Sequence, residues 1–221
     1  PGDVVLFDAN ETLPGLMIVD APAGETSASA ASAPFRIIGR SDVPNMIDAS
    51  SFTERAIILI GGTHDDTLIG GSQDDTIQGS GGNDQLVGHG GNDILQGQAG
   101  NDSLVGAAGR DTLEGGADND QLNGGGSSDQ LDGGTGIDTS FNNGAGTFTV
   151  SNQVITYLRK DGARAVDSIV SMEHVLIKVS GSSSVDSSAL DIAFLEFIGS
   201  RENDTVTGGS GNDRILGGGG D

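Results

Sequence analysis

Nine aspartates stand nine residues apart without a slip: Asp66, Asp75, Asp84, Asp93, Asp102, Asp111, Asp120, Asp129 and Asp138. Carboxylates repeated in this way offer two kinds of chemistry. Paired in a cleft with divergent pKa values, they would serve general acid–base catalysis. Stacked along an edge beside backbone carbonyls, they would hold hard divalent cations, which take oxygen ligands. Their neighbours favour the second. A glycine lies five residues before each of the nine, from Gly61 and Gly70 to Gly133, and an aliphatic side chain lies two residues after the first eight, from Leu68 and Ile77 to Leu131. A glycine-rich turn can point successive carbonyls at one place because glycine reaches positive φ. In the adjacent pairs Asp65–Asp66 and Asp74–Asp75 the second residue holds the metal position, and the first reads as solvated charge.

A fixed period of this kind marks a repeat architecture. The consensus is G-G-x-G-x-D-x-L-x, nearly complete in GSGGNDQLV (79–87) and GHGGNDILQ (88–96). After each turn, x-L-x forms a short strand whose middle side chain faces inward. One regularly buried aliphatic per repeat is small compensation for the backbone entropy of a glycine-rich nonapeptide. Aspartates stacked at the strand spacing of about 4.8 Å would also repel one another. A hard cation bound in the turns relieves both difficulties, so folding is expected to be coupled to metal.

Composition agrees. The chain carries a formal charge of −22, with 38 Gly, seven Phe, one Tyr and no Trp. Its ten basic residues cannot form the cluster that nucleic acid or an anionic membrane needs. No window approaches the roughly 18 apolar residues of a membrane span; the longest notable apolar run is Ala56–Ile60. The absence of cysteine excludes disulfides and thiolate metal sites. His64, His89 and His174 form no H-E-x-x-H and are expected to be solvated, and GGSGN (208–212) is not a G-x-S-x-G elbow. No secretory signal is visible at Pro1, and GGGGD (217–221) stops within a nonapeptide, which predicts a piece of a longer chain.

Four segments follow: a β-rich lead-in over 1–60, the nonapeptides over 61–141, β-rich sequence over 142–198, and a second array beginning at 199–221, where Asp204 and Asp213 restart the pattern. Residues 46–71 align without gaps on 184–209 at an offset of 138, matching Asp48 with Asp186, Phe52 with Leu190 and Asp66 with Asp204. The duplicated unit is thus a lead-in followed by an array. The lead-ins Ile47–Ile60 and Val185–Ile198 are expected to form equivalent metal-free coils stacked on the first turns. Phe52 and Leu190 would face the core, and Asp48 and Asp186 would serve turns.

Over 61–141 and 199–221 these residues resemble the repeats-in-toxin (RTX) family of secreted bacterial proteins. The resemblance implies an all-β fold, a right-handed parallel β-roll or β-solenoid with calcium-binding turns, flanked here by non-calcium β-rich coils. Calcium would lie between the loops of repeats n and n+2. Its ligands would be carbonyls at positions 2 and 4 and the Asp of the earlier loop, with carbonyls at positions 1 and 3 and the Asp of the later one. On one edge, Gly62, His64 and Asp66 would join Gly79, Gly81 and Asp84; Ser80, Gly82 and Asp84 would join Gly97, Ala99 and Asp102. Next come Gln98, Gly100 and Asp102 with Gly115, Ala117 and Asp120, then Gly116, Asp118 and Asp120 with Gly133, Thr135 and Asp138. On the other edge, Gly71, Gln73 and Asp75 would join Gly88, Gly90 and Asp93, while His89, Gly91 and Asp93 would join Gly106, Ala108 and Asp111. Ala107, Gly109 and Asp111 with Gly124, Gly126 and Asp129 complete that edge, for up to seven calcium ions in all. Position 4 departs from glycine at His64, Gln73, Asp118 and Ser127, which weakens the expectation for sites using them. The implied role is a non-catalytic, adhesin-like spacer on the cell surface or outside the cell, folding on calcium and stacking on neighbouring repeat modules of its own chain. The alternative is an accessory folding and secretion region of an exported enzyme or toxin.

Overall fold

The computed structural model describes residues 18–20, 34–144, 146–151, 154–159, 164–179, 181, 183–189 and 194–220. Regular structure among them is entirely strand. The lead-in gives β1 (Ile18–Asp20), β2 (Phe35–Ile38), β3 (Met46–Asp48) and β4 (Ile57–Ile60). The nonapeptides give β5 (Thr67–Ile69), β6 (Thr76–Gly81), β7 (Gln85–Gly90), β8 (Ile94–Ala99), β9 (Ser103–Ala108), β10 (Thr112–Ala117), β11 (Gln121–Gly126), β12 (Gln130–Thr135) and β13 (Thr139–Gly144). There follow β14 (Gly146–Ser151), β15 (Val154–Arg159), β16 (Arg164–Val170), β17 (His174–Val179), β18 (Ser184–Ala189) and β19 (Phe194–Ile198), then β20 (Thr205–Thr207) and β21 (Arg214–Leu216) of the second array.

Successive nonapeptide strands alternate between two parallel sheets. One runs β4-β6-β8-β10-β12 and the other β3-β5-β7-β9-β11-β13. Each strand therefore pairs with the one two repeats on, as in Leu95 beside Leu113 beside Leu131 and Leu86 beside Leu104 beside Leu122. The chain is a parallel β-solenoid in which two nonapeptides make one coil. Alternate residues along a strand face the same way, so positions 6, 8 and 1 all point inward: Asp84 and Leu86 in one repeat and Gly88 at the start of the next. The position-8 column from Leu68 to Leu122 is fully buried and Leu131 nearly so.

The flanking coils fill the same cross-section with larger groups. Phe35, Ile37, Ile47, Ile57 and Leu59 are buried before the array, and Val175, Ile177, Val185, Leu195 and Phe197 after it. The duplication seen in the sequence is structural: β3 pairs β5 with Met46 beside Thr67, and β18 pairs β20 with Ser184 beside Thr205. Likewise Ile58 pairs with Thr76 and Glu196 with Arg214. Phe52 packs against the core and stacks on Phe35 at 5.6 Å, and the Asp48 carboxylate accepts the Ser50 N–H at 2.9 Å within its turn. Leu190 lies outside the described residues. The sheet continues past the last nonapeptide, at Ser140. That serine is buried in the leucine column, and β13 pairs onward with β17. The longer sheet departs from parallel pairing between β1 and β2, and again at β14, β15 and β16, which pair antiparallel in turn between β12 and β18.

Candidate metal centre

Inward-facing aspartates build two carboxylate ladders, one along each edge of the solenoid. In each, Oδ1 accepts the backbone N–H of the aspartate 18 residues earlier. Asp84 takes that of Asp66 at 2.8 Å, Asp102 that of Asp84 at 2.8 Å, and Asp138 that of Asp120 at 2.9 Å. The other edge repeats this from Asp93 on Asp75 to Asp129 on Asp111, at 2.8 and 2.9 Å. All nine carboxylates are buried. The lead-in closes the lower ends: Asn45 donates its N–H and its amide to Asp66 Oδ1 at 2.6 and 2.8 Å, and Ile57 donates to Asp75 at 2.8 Å.

The second carboxylate oxygen divides the repeats into two classes. In Asp66 and Asp75, Oδ2 accepts the N–H of position 2 of its own loop, from Gly62 and Gly71, each at 2.6 Å. The carbonyls of Gly62 and Gly71 are also engaged, by the N–H groups of Gly81 and Gly90 at 3.1 and 3.3 Å. Asp204 repeats this arrangement with the Ser200 N–H at 2.8 Å, and Ser200 O accepts from Gly219 at 2.8 Å. From Asp84 to Asp138 the outcome differs. All seven Oδ2 atoms are buried without a hydrogen-bond partner.

Backbone conformation separates the same two classes. In every loop from 79 to 138, positions 2 and 4 are left-handed, including the non-glycine residues Ser80, His89, Gln98, Ala107, Asp118 and Ser127 at φ between 74° and 90°. Asp118 and Ser127 thus adopt the conformation of the glycines they replace, while His64 and Gln73 do not. Alternating left-handed residues turn successive carbonyls to opposite sides of the loop. Those of Gln98 and Ala107 (position 2) and of Gly82 and Gly91 (position 4) point up at the next loop on the same edge, where they crowd Gly116, Gly125, Gly100 and Gly109. Position-1 carbonyls point down: that of Gly115 comes within 2.7 Å of where a Gly97 Cβ would stand, beside Asp102 Oδ2. Position-3 carbonyls of Ala99, Ala108 and Ala117 also point down, accepting the N–H of Gly82, Gly91 and Gly100 at 3.0 to 3.2 Å. Oxygens from paired loops therefore converge between them. Asp213 sits half-buried at the far end and accepts the Leu195 N–H at 3.2 Å.

Electrostatics makes this convergence unfavourable without a cation. Burial pushes Asp93, Asp102 and Asp129 up to about 7, and Asp84 and Asp120 up to about 6. The neighbouring charges acting on them are acidic, such as Asp84, Asp120 and Asp118 around Asp102. Asp75, Asp111 and Asp138 are also raised, by burial first. Buried carboxylates without a partner are costly unless they bind a proton or a metal. Among the described residues no three His, Cys, Asp or Glu side chains gather at one point. An ion here would be held by carbonyls with one or two carboxylates, a donor set that suits calcium and neither zinc nor copper.

A solenoid with one leucine per strand and oxygen-rich turns between stacked loops belongs to the class of cation-stabilised parallel β-rolls. The family described as RTX calcium-binding nonapeptide repeat (4 copies) matches residues 60–95, 79–113, 87–122, 105–139 and 196–221. Over 60–139 and 196–221 the chain therefore consists of RTX calcium-binding nonapeptide repeats. No curated protein matches the chain.

Two ladder members escaped the period of nine. Asp167, buried and pushed up to about 6 by burial, accepts the Asp129 N–H at 3.2 Å, and Glu173 accepts the Asp138 N–H at 2.9 Å. The run Asp167-Ser168-Ile169-Val170 does carry the signal, since it repeats positions 6 to 9. His64 and His89 are exposed as expected. His174 is not: it lies edge-on to Phe194 at 4.5 Å with Nε2 buried, because β19 covers it.

Proposed function

We propose that this chain is a calcium-loaded structural module of an exported bacterial protein, a spacer whose coils close when calcium is met outside the cell. The observation that carries it is the set of seven buried, partnerless Asp Oδ2 atoms, with the Gly115 and Gly133 carbonyls of the paired loops beside those of Asp102 and Asp120. Five loop pairs offer that arrangement on both sides: 79–84 with 97–102, 97–102 with 115–120, 115–120 with 133–138, 88–93 with 106–111, and 106–111 with 124–129. Loops 61–66 and 70–75 satisfy their own carboxylates, so the proposed count is five bridging ions within the array, below the seven that the repeat number alone allows. The lead-in and array recur within one continuous pair of sheets, which favours a stacked spacer over an accessory region. The role is non-catalytic. Far-ultraviolet circular dichroism of the full chain at pH 8, titrated from EDTA into calcium, tests the reading. Cooperative gain of β-structure is expected; a β spectrum indifferent to EDTA, together with no calcium uptake by native mass spectrometry, would overturn it.

A further inference from the structure

The upper end of one carboxylate ladder is built like a site although the nonapeptides have ended. Asp138 belongs to the last repeat, yet its Oδ2 is buried without a partner like those below it. Loop 133–138 has the complete turn, with Gly134 and Gly136 at φ 95° and 150°. What stacks on it is the short loop Ser171–Glu173 between β16 and β17. Within the array, the position-1 carbonyl of the next loop sits above position 1, as Gly115 O does above Gly97 and Gly133 O above Gly115. Above Gly133 that place is taken by the Ser171 carbonyl, close to where a Cβ would stand and facing Asp138 Oδ2, itself 2.6 Å from the same point. Ser171 is left-handed at φ 53°, an uncommon conformation for a non-glycine residue. Glu173 then takes the aspartate's part, one carboxylate oxygen accepting the Asp138 N–H at 2.9 Å.

We propose that Asp138, the Ser171 carbonyl and Glu173 form a further calcium site, closed by a loop that is not a nonapeptide. The proposal rests on the calcium reading of the array and extends it by one ion. Two facing carboxylates, one of them buried and partnerless, have the same need of a cation as Asp102 with Asp120. The loop has one residue, Met172, in place of positions 2 to 5 of the repeat and keeps what an upper loop contributes: a downward carbonyl and an acidic group at the head of the following strand. The site would pin β17 to the array across the point where the repeat is interrupted by β14 and β15.

Native mass spectrometry of the full chain in calcium counts the ions directly. Wild type is expected to carry one ion more than Glu173→Gln, whose amide oxygen still accepts the Asp138 N–H and so preserves the ladder. A crystal of the wild-type protein grown in calcium supplies a second readout that needs no variant: an anomalous peak between the Asp138 and Glu173 carboxylates. Equal ion counts in the two proteins, or no peak there while the array sites show theirs, would overturn this site and leave the array reading standing. A wild-type protein that takes up no calcium would overturn both.

Discussion

An alanine methyl placed at Gly97 and one placed at Gly81 meet opposite surroundings, although both glycines lie in complete repeats and neither has positive φ. At Gly97 the new Cβ would fall on Asp102 Oδ2 and 2.7 Å from the Gly115 carbonyl oxygen. At Gly81 the nearest atoms are Thr63 Cα at 3.8 Å and Ala99 O at 3.9 Å, ordinary contact distances. In Gly97→Ala the carboxylate must swing away, losing the 2.8 Å bond from the Asp84 N–H, while the backbone oxygen cannot yield without moving a coil. Overpacking costs about 1–3 kcal/mol, and a broken buried hydrogen bond about 1–3 kcal/mol; about 3 kcal/mol in total is a conservative expectation. Spread over the five proposed ions, this is about 0.6 kcal/mol per ion, or roughly a threefold higher calcium midpoint, since about 1.4 kcal/mol is tenfold. Gly81→Ala should instead gain about 0.4–1 kcal/mol by restricting the unfolded chain, leaving the midpoint unchanged or slightly lower. Calcium titrations followed by circular dichroism measure both. Equal midpoints for the two variants, or the reverse order, would refute the placement of the carboxylate over position 1.

The two turn classes predict that Asp66→Asn leaves the calcium count by native mass spectrometry unchanged, because Oδ2 of Asp66 already holds the Gly62 N–H, whereas Asp102→Asn lowers it. Burial raises Asp93, Asp102 and Asp129 to about 7, so the metal-free fold gains stability that is complete below the unfolded carboxylate value of about 4 and lost as pH rises through 7. In EDTA, β-structure by circular dichroism should therefore be greater at pH 5 than at pH 8, and in calcium the midpoint should rise on acidification as protons compete for the same oxygens. Asn45→Ala removes the amide that links Asp66 Oδ1 to the Arg40 carbonyl and should cost about 1–3 kcal/mol, measured by urea unfolding in calcium with the slope unchanged.

The period of nine made the aspartate ladder, the leucine column and the two-sheet coil legible, since a residue type recurring at a fixed interval translates into stacking. It did not reveal the two turn classes. His64, Gln73, Asp118 and Ser127 all replace glycine at position 4, yet the last two are left-handed and the first two are not. What separates them is the loop beneath. Loops 61–66 and 70–75 rest on the Arg40 and Phe52 carbonyls of the lead-in, which press on Gly62 and Gly71, while later loops rest on other nonapeptides. That information is tertiary, and no single repeat contains it. Asp167 and Glu173 were hidden for a different reason: they join the ladders 38 and 35 residues beyond their partners, where the repeats keep 18.

The offset of 138 ties these observations to the way the solenoid is assembled. Asn45 on Asp66 and Ile57 on Asp75 are repeated as Ser183 on Asp204 and Leu195 on Asp213. Each array therefore begins with an aspartate held from below by a lead-in coil, and Asp66 and Asp204 are further held by their own loops, through Gly62 and Ser200. These first turns hold their own carboxylates by hydrogen bonds, and the coils beneath them bury Ile57, Leu59, Leu195 and Phe197 in place of the lone leucine of a nonapeptide. A repeat protein is stable as the sum of weak units and strong interfaces. Here the strong units are placed where an array starts, offering a formed sheet edge to repeats that bury too little to close alone. In the proposed function, calcium acts on coils that already have a template below them. This accounts for glycine-rich loops of high charge surviving as ordered structure between two lead-ins that each bury several large side chains per coil.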